Sequence, residues 1–242
     1  MRYFINLAYD GTRYHGWQIQ PNGITVEGEM ERCLSVLLRQ LVDVVGAGRT
    51  DAGVHARQMV AHFDVEKPIA TEDVAYRLNR MLPPDIAVYD VKQVSDDMHA
   101  RFSATSRTYH YYVCTKATPF NRQYTWIPHF SLDFELMNEA AKLLLRHKDF
   151  ACFCKSHTDV KTTLCDVTEA QWIKTGENEW YFRITANRFL RNMVRAVVGT
   201  LVEVGRHRMT LQQFQDVLDV KSRTQAGESM PGHALFLENV RY

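Results

Sequence analysis

No stretch of this 242-residue sequence stays apolar over a membrane-spanning length, and no apolar leader opens it. Those absences make the cytoplasm the expected compartment and leave the membrane out as a partner. Cysteine is sparse and unpatterned. Cys33, Cys114, Cys152, Cys154 and Cys165 are odd in number and lack the spacing of a disulfide framework, so reduced thiols are expected. Internal repeats and low-complexity linkers are missing as well. So are the two best-known phosphate cradles. In the stretch GAGRTDAGVHA (46–56), Gly46 and Gly48 fit a dinucleotide fingerprint, but Asp51 takes the third glycine position and would repel a pyrophosphate. Gly48-Arg49-Thr50 has neither the lysine nor the upstream spacing of a P-loop.

What is present is an ordinary globular mixture, 45% apolar and 24% charged, long enough for one large domain or two small ones. The formal net charge is only +1, but the charge is unevenly placed. Residues 101–123 hold Arg101, Arg107, Lys116 and Arg122 and no acid. Residues 181–208 hold six arginines against Glu203 alone. Such segregation suits a polyanionic partner.

Periodicity gives the elements. Residues 2–9 read as a strand closed by the turn Asp10-Gly11. A helix is expected from Thr25, with Val26, Met30, Cys33, Leu34, Leu37 and Leu41 on its apolar stripe. A short strand at 42–47 leads into the glycine-rich stretch, and 59–65 alternates as a strand. Thr71-Glu72-Asp73 is expected to cap a second helix that stops at Pro83-Pro84. Strands follow at 86–94 and 106–115, a helix at about 134–146, and two or three strands within 160–185. An amphipathic helix is expected at 189–204, another after the cap Thr210, and a last strand at 234–240. Strands that follow each other directly argue for an α+β fold with a mainly antiparallel sheet. A soft boundary near 100–106 divides the chain into an N-terminal half, 1–103, and a C-terminal half, 104–242.

Several side chains are candidates for chemistry. Asp51 presents a carboxylate two residues from Arg49, and extended backbone would project both to one side. An ionised carboxylate beside a phosphate-binding cation suits attack on a sugar or base, or proton transfer. Tyr109 and Tyr111 share a face of a strand free of acids, where a ring either packs in the core or stacks on a base. Arg195 edges an apolar helical stripe, where it either snorkels or points a cation into a site. The spacing of Cys152, Cys154 and His157 is not that of a usual zinc site, and small hydrophobic packing explains the cysteines better.

Five segments spread along the chain resemble one family. GAGRTDAGVHA is similar to the catalytic motif of the TruA-type tRNA pseudouridine synthases. YDGTRYHGWQIQP (9–21), HARFSATSRTYHYYV (99–113) and ANRFLRNMVRAVVGTLVEVG (186–205) match the family's N-terminal, central and late-helix blocks, and ALFLENV its closing strand. The resemblance implies an isomerase that converts uridine to pseudouridine in the tRNA anticodon stem-loop, around tRNA positions 38 to 40. It implies a homodimer with no metal and no other cofactor. It implies Asp51 as the catalytic aspartate, Arg49 beside it, Tyr109 stacking on the target base, and Arg195 as the helix arginine that pairs with Asp51. It also implies two similar α+β halves sharing a mainly antiparallel sheet, with a basic cleft between them. The first half would carry the aspartate loop and the second would complete the cleft.

Overall fold

A computed structural model describes residues 1–155 and 161–242. The fold is α+β, with eight strands and five α-helices among the described residues. The chain forms two compact units, residues 1–105 with 236–242, and residues 106–235.

In the first unit β1 (Arg2–Tyr9) pairs antiparallel with both β3 (His55–Asp64) and β4 (Ile86–Val94). The short β2 (Val45–Gly46) also pairs with β3. The last strand, β8 (Leu235–Arg241), runs parallel to β3, with His55 opposite Phe236 and Ala56 opposite Leu237. Alternation along β1 buries Tyr3, Ile5, Leu7 and Tyr9, as a period of two requires, and Tyr3 stacks on Phe63 at 5.8 Å. Helices α1 (Val26–Leu38) and α2 (Thr71–Met81) add Met30, Cys33, Leu34, Val74 and Leu78 to this core.

Both helices depart from their sequence reading at an end. Arg39 takes the left-handed conformation at φ 55° and stops α1, so Leu41 falls off the expected stripe and is 96% exposed. Thr71 is the first helical residue of α2 rather than its cap; the cap is Ala70, without a side-chain hydrogen bond, while Glu72 and Asp73 lie in the first turn, where carboxylates suit the helix dipole. β3 begins four residues earlier than its alternating pattern implies, because His55 and Ala56 pair with β8, a partner distant in sequence.

The second unit carries the antiparallel order β5 (Ser106–Cys114), β7 (Glu179–Ala186), β6 (Val167–Lys174), the last two joined through the turn at Gly176. Tyr109, Tyr111, Val113, Phe182, Ile184 and Trp172 are buried. Helices α3 (Phe134–Leu144), α4 (Met193–Gly205) and α5 (Leu211–Val220) belong to this unit. Asp133 caps α3 and Thr210 caps α5 through a reciprocal box with Gln213. Helix α4 starts four residues later than its apolar pattern implies. Asn192 adopts φ 66°, a left-handed turn that asparagine tolerates, and leaves Phe189 and Leu190 in the preceding loop.

Candidate active site

The Asp51 loop is irregular backbone between β2 and β3, and three features hold it. First, Tyr9 Oη and Thr50 Oγ1 lie 2.9 Å apart in a buried hydrogen bond, and the amide of Trp17 donates to the Thr50 carbonyl at 3.2 Å. Second, the turn closes on itself, with Val54 N–H donating to the Asp51 carbonyl at 3.1 Å and Gly53 at φ 74°. Third, the segment 9–17 wraps the loop. The amide of Gly11 donates to His55 Nδ1 at 2.9 Å, and Gly53 N–H donates to the Tyr14 carbonyl at 3.3 Å. Gly16, at φ 90°, lies so close that a β-carbon there would stand 2.3 Å from the Thr50 carbonyl oxygen. The segment 9–17 is therefore the outer wall of the aspartate loop.

Asp51 itself is half-exposed and Arg49 is exposed. The charge of Arg49 reaches Glu27, whose carboxyl is pushed up by burial, against the hydrogen bonds it accepts from the Ile19 amide and the Trp17 indole. Of the loop glycines, Gly46 is required by the Trp17 ring, which a β-carbon would meet at 2.6 Å. Gly48 faces open space.

Tyr109 and Arg195 belong to the second unit. Tyr109 is 8% exposed and packs edge-on against Phe189 at 5.2 Å. Tyr111 is fully buried, and its hydroxyl has no hydrogen-bond partner among the described residues. Burial pushes its phenol far above the ordinary tyrosine range, while the positive charge of Arg195 works against that shift. Of the two tyrosines on the shared face, Tyr111 is thus a core residue.

Arg195 is half-buried in the first turn of α4 and is held by a strap that the sequence reading missed. Its Nε donates to the Met230 carbonyl at 2.5 Å, and Met230 N–H donates back to the Arg195 carbonyl at 3.1 Å. Asn192 Nδ2 and Arg223 Nη2 both donate to Ser229 Oγ, and Gly227 N–H donates to Thr200 Oγ1 at 2.9 Å. The sequence marks this strap only by the small residues Ala226, Gly227 and Ser229 around Glu228.

The arginine-rich segments are less cationic in the fold than in the sequence. Arg183 pairs with Glu169 at 2.5 Å and Arg206 with Glu203 at 3.0 Å. Arg107 is buried and donates to the Asn187 carbonyl at 2.8 Å, which makes it a structural residue. Arg191 is exposed. Cys152, Cys154 and Cys165 are buried; burial pushes the Cys152 thiol up to about 12 and that of Cys165 up to about 11. His157 lies outside the described residues. Among the described residues no group of three or more histidine, cysteine or acidic side chains is placed to hold a metal ion.

The sequence profile of a family described as tRNA pseudouridine synthase matches residues 6–103 and 140–242, which takes in the Asp51 loop, its wrapping segment and α4. The chain belongs to the tRNA pseudouridine synthase family. Among its relatives, the tRNA pseudouridine synthase A of Bacteroides thetaiotaomicron is 59% identical over 243 residues, covering all of this chain and 90% of the relative. That of Bacteroides fragilis is 56% identical, covering all of this chain and 96% of the relative. The tRNA pseudouridine synthase A of Bacillus subtilis is 40% identical over 246 residues, covering all of this chain and 99% of the relative. The match is therefore end to end. No helix among the described residues is long and apolar enough to cross a membrane.

Proposed function

We propose that this pseudouridine synthase isomerises uridine in the anticodon stem-loop of tRNA, around tRNA positions 38 to 40. Asp51 is its catalytic residue, and Arg49, Tyr109 and Arg195 bind the substrate. It works in the cytoplasm as a homodimer and needs neither cofactor nor metal. The observation that carries this reading is the Asp51 turn. A half-exposed carboxylate sits on a loop locked by Tyr9, Trp17, Tyr14 and His55, with the exposed Arg49 two residues away. A carboxylate that only capped a turn would not need a wall built from a separate segment of chain.

The reaction breaks the N1–C1′ bond of uridine, turns the uracil, and joins C5 to C1′. C5 gives up a proton and N1 ends with one, so no atom is gained or lost. Asp51 supplies the nucleophile or base that this exchange needs. Because the loop is pre-formed, no ordering cost is met when the substrate arrives. The base has to leave its stack to be reached, and an aromatic face is the usual support for an unstacked base. The family resemblance gives this role to Tyr109, and the edge-on contact with Phe189 holds the ring plane of this largely buried side chain. Arg49 and Arg195 complement phosphate charge.

The test is single-turnover conversion of uridine in an anticodon stem-loop tRNA by the purified protein, with the product located by mass spectrometry. Sedimentation of the protein alone tests the homodimer. Pseudouridine elsewhere in the tRNA would refute the assignment of the stem-loop, and no pseudouridine at all would refute the activity.

A further inference from the structure

One chain of contacts, running from solvent at Arg13 inward through Tyr14, leads from the start of β4 to the Asp51 turn. Asp85 precedes β4, and its carboxylate is used at both oxygens. Tyr14 Oη donates to Oδ1 at 2.6 Å, and Arg13 Nε donates to Oδ2 at 2.6 Å. The backbone joins in, since Asp10 N–H donates to the Asp85 carbonyl at 2.9 Å. Tyr14 is 3% exposed, so its ring is gripped along its length. At its other end, the Tyr14 carbonyl accepts the amide of Gly53, inside the turn that begins at Asp51.

Tyr14 is thus fixed at two points, by a carboxylate at the hydroxyl and by the Asp51 turn at the carbonyl. Charge-assisted hydrogen bonds of this length are about twice as strong as neutral ones and set direction as well as distance. Burial alone would raise the Asp85 carboxyl, but the bonds from Arg13 and Tyr14 outweigh it and hold the group below the ordinary carboxylate range. The carboxylate is the charged partner that the phenol needs. We propose that Tyr14 and Asp85 are positioning residues for the reaction: the Asp85 carboxylate anchors the Tyr14 hydroxyl so that the Tyr14 carbonyl sets the place of Gly53 and, through it, of Asp51. This rests on the reading of Asp51 as the catalytic residue. Neither side chain touches the substrate in this scheme. Their effect is on how closely the carboxylate keeps its reactive geometry, where a displacement of about 1 Å costs on the order of 100-fold in rate.

The test compares the parent protein with Tyr14→Phe, Asp85→Asn and Asp51→Ala. Single-turnover pseudouridine formation at saturating tRNA, tRNA affinity and thermal melting are measured for each. The expected result is a rate about tenfold or more below the parent in Tyr14→Phe and Asp85→Asn, with tRNA affinity within about twofold and a folded protein at the assay temperature. A structural role alone would lower the folded fraction and leave the rate per folded molecule unchanged. If Asp85→Asn does not fold, Tyr14→Phe, which removes one oxygen and keeps the ring, decides. Parental rates in the folded variants, beside an inactive Asp51→Ala, overturn the proposal alone. An inactive parent or an active Asp51→Ala overturns the reading beneath it, and the proposal with it.

Discussion

The carbonyl oxygen of Glu228 lies 1.7 Å from the point where a β-carbon on Gly199 would stand. The strap that holds Arg195 therefore lies directly on bare backbone of α4. In Gly199→Ala the strap has to lift. The expected cost is about 1–3 kcal/mol, the usual range for overpacking a filled site, and calorimetry would read it as a melting temperature lower by several degrees. Pseudouridine formation should fall further than stability does, because the Met230 carbonyl that orients Arg195 moves with the strap. Gly48→Ala is the contrast. Nothing lies within 4 Å of its new carbon, so its melting should stay within about 0.5 kcal/mol of the parent.

Replacing Asp51 by asparagine or alanine should abolish pseudouridine formation and leave tRNA binding intact. Asparagine keeps the shape and removes the charge. A half-exposed loop acid contributes little to stability, so melting should hardly change. Binding should tighten if anything, since a carboxylate near phosphates is repulsive. Turnover at the parental rate in either variant would rule Asp51 out.

Tyr109 calls for two substitutions. The ring is nearly buried against Phe189, so Tyr109→Ala should cost about 3 kcal/mol of stability in addition to its effect on turnover. Tyr109→Phe keeps the packing and removes only the hydroxyl. If the ring face is what matters, the phenylalanine variant retains turnover and the alanine variant, assayed below its melting point, loses it.

Salt titration should separate the arginines. Binding of tRNA is expected to weaken steeply as salt rises, because phosphate contacts release counterions. Arg191→Ala, at an exposed site, should reduce that slope and leave melting unchanged. Arg107→Ala should act on melting, since it strips a hydrogen bond from the Asn187 carbonyl and empties a buried site. A flat salt dependence in the parent would refute the phosphate-contact account.

His62 gives a pH dependence. Burial, first, and then the charges of Arg2 and His99 push its pKa down from 6.5 to about 4, and its Nδ1 accepts the Ala100 amide at 3.2 Å. The folded state holds this ring neutral while the unfolded chain takes up a proton below pH 6.5. Stability should therefore fall as pH drops from about 6.5 to about 4, with no further loss from this group below that. His62→Asn places an oxygen near the accepting position and does not titrate. Its unfolding free energy across this window, from urea denaturation, should show a flatter slope than the parent's.

The sequence carries these features unequally. The alternation of β1 and β5 and the cap of α5 are local, and local periodicity reveals them. The ends of α1 and α4 are not, because Arg39 and Asn192 take left-handed conformations that nothing in their neighbourhood demands. Leu41 looks like a core residue by spacing and is left in solvent by that turn. The Asp51 loop is visible as glycine-rich backbone around a charged pair. Its wall is not, since Tyr9 meets Thr50 and Gly11 meets His55 across some forty residues of chain. Arg195 is marked in the sequence only as a cation on an apolar helix; the strap that aims it lies more than thirty residues on. Charge segregation misleads in part because Glu169 lies on the strand beside Arg183 and removes some of the excess.

The first unit is not one piece of chain. Phe236 stacks on His55 at 4.4 Å, the Tyr242 hydroxyl donates to the Ala100 carbonyl at 2.7 Å, and Thr105 N–H donates to the Arg241 carbonyl at 2.7 Å. On the ribosome, everything up to residue 105 emerges long before these partners exist. The aspartate loop borders His55, whose ring lacks its cover until residue 236 has emerged. A nascent chain thus carries Asp51 in an unfinished frame while the second unit is still being made. The first unit is completed late in synthesis, with the closing strand, and a chain cut short before that strand lacks the ring that covers His55 at the edge of the Asp51 loop.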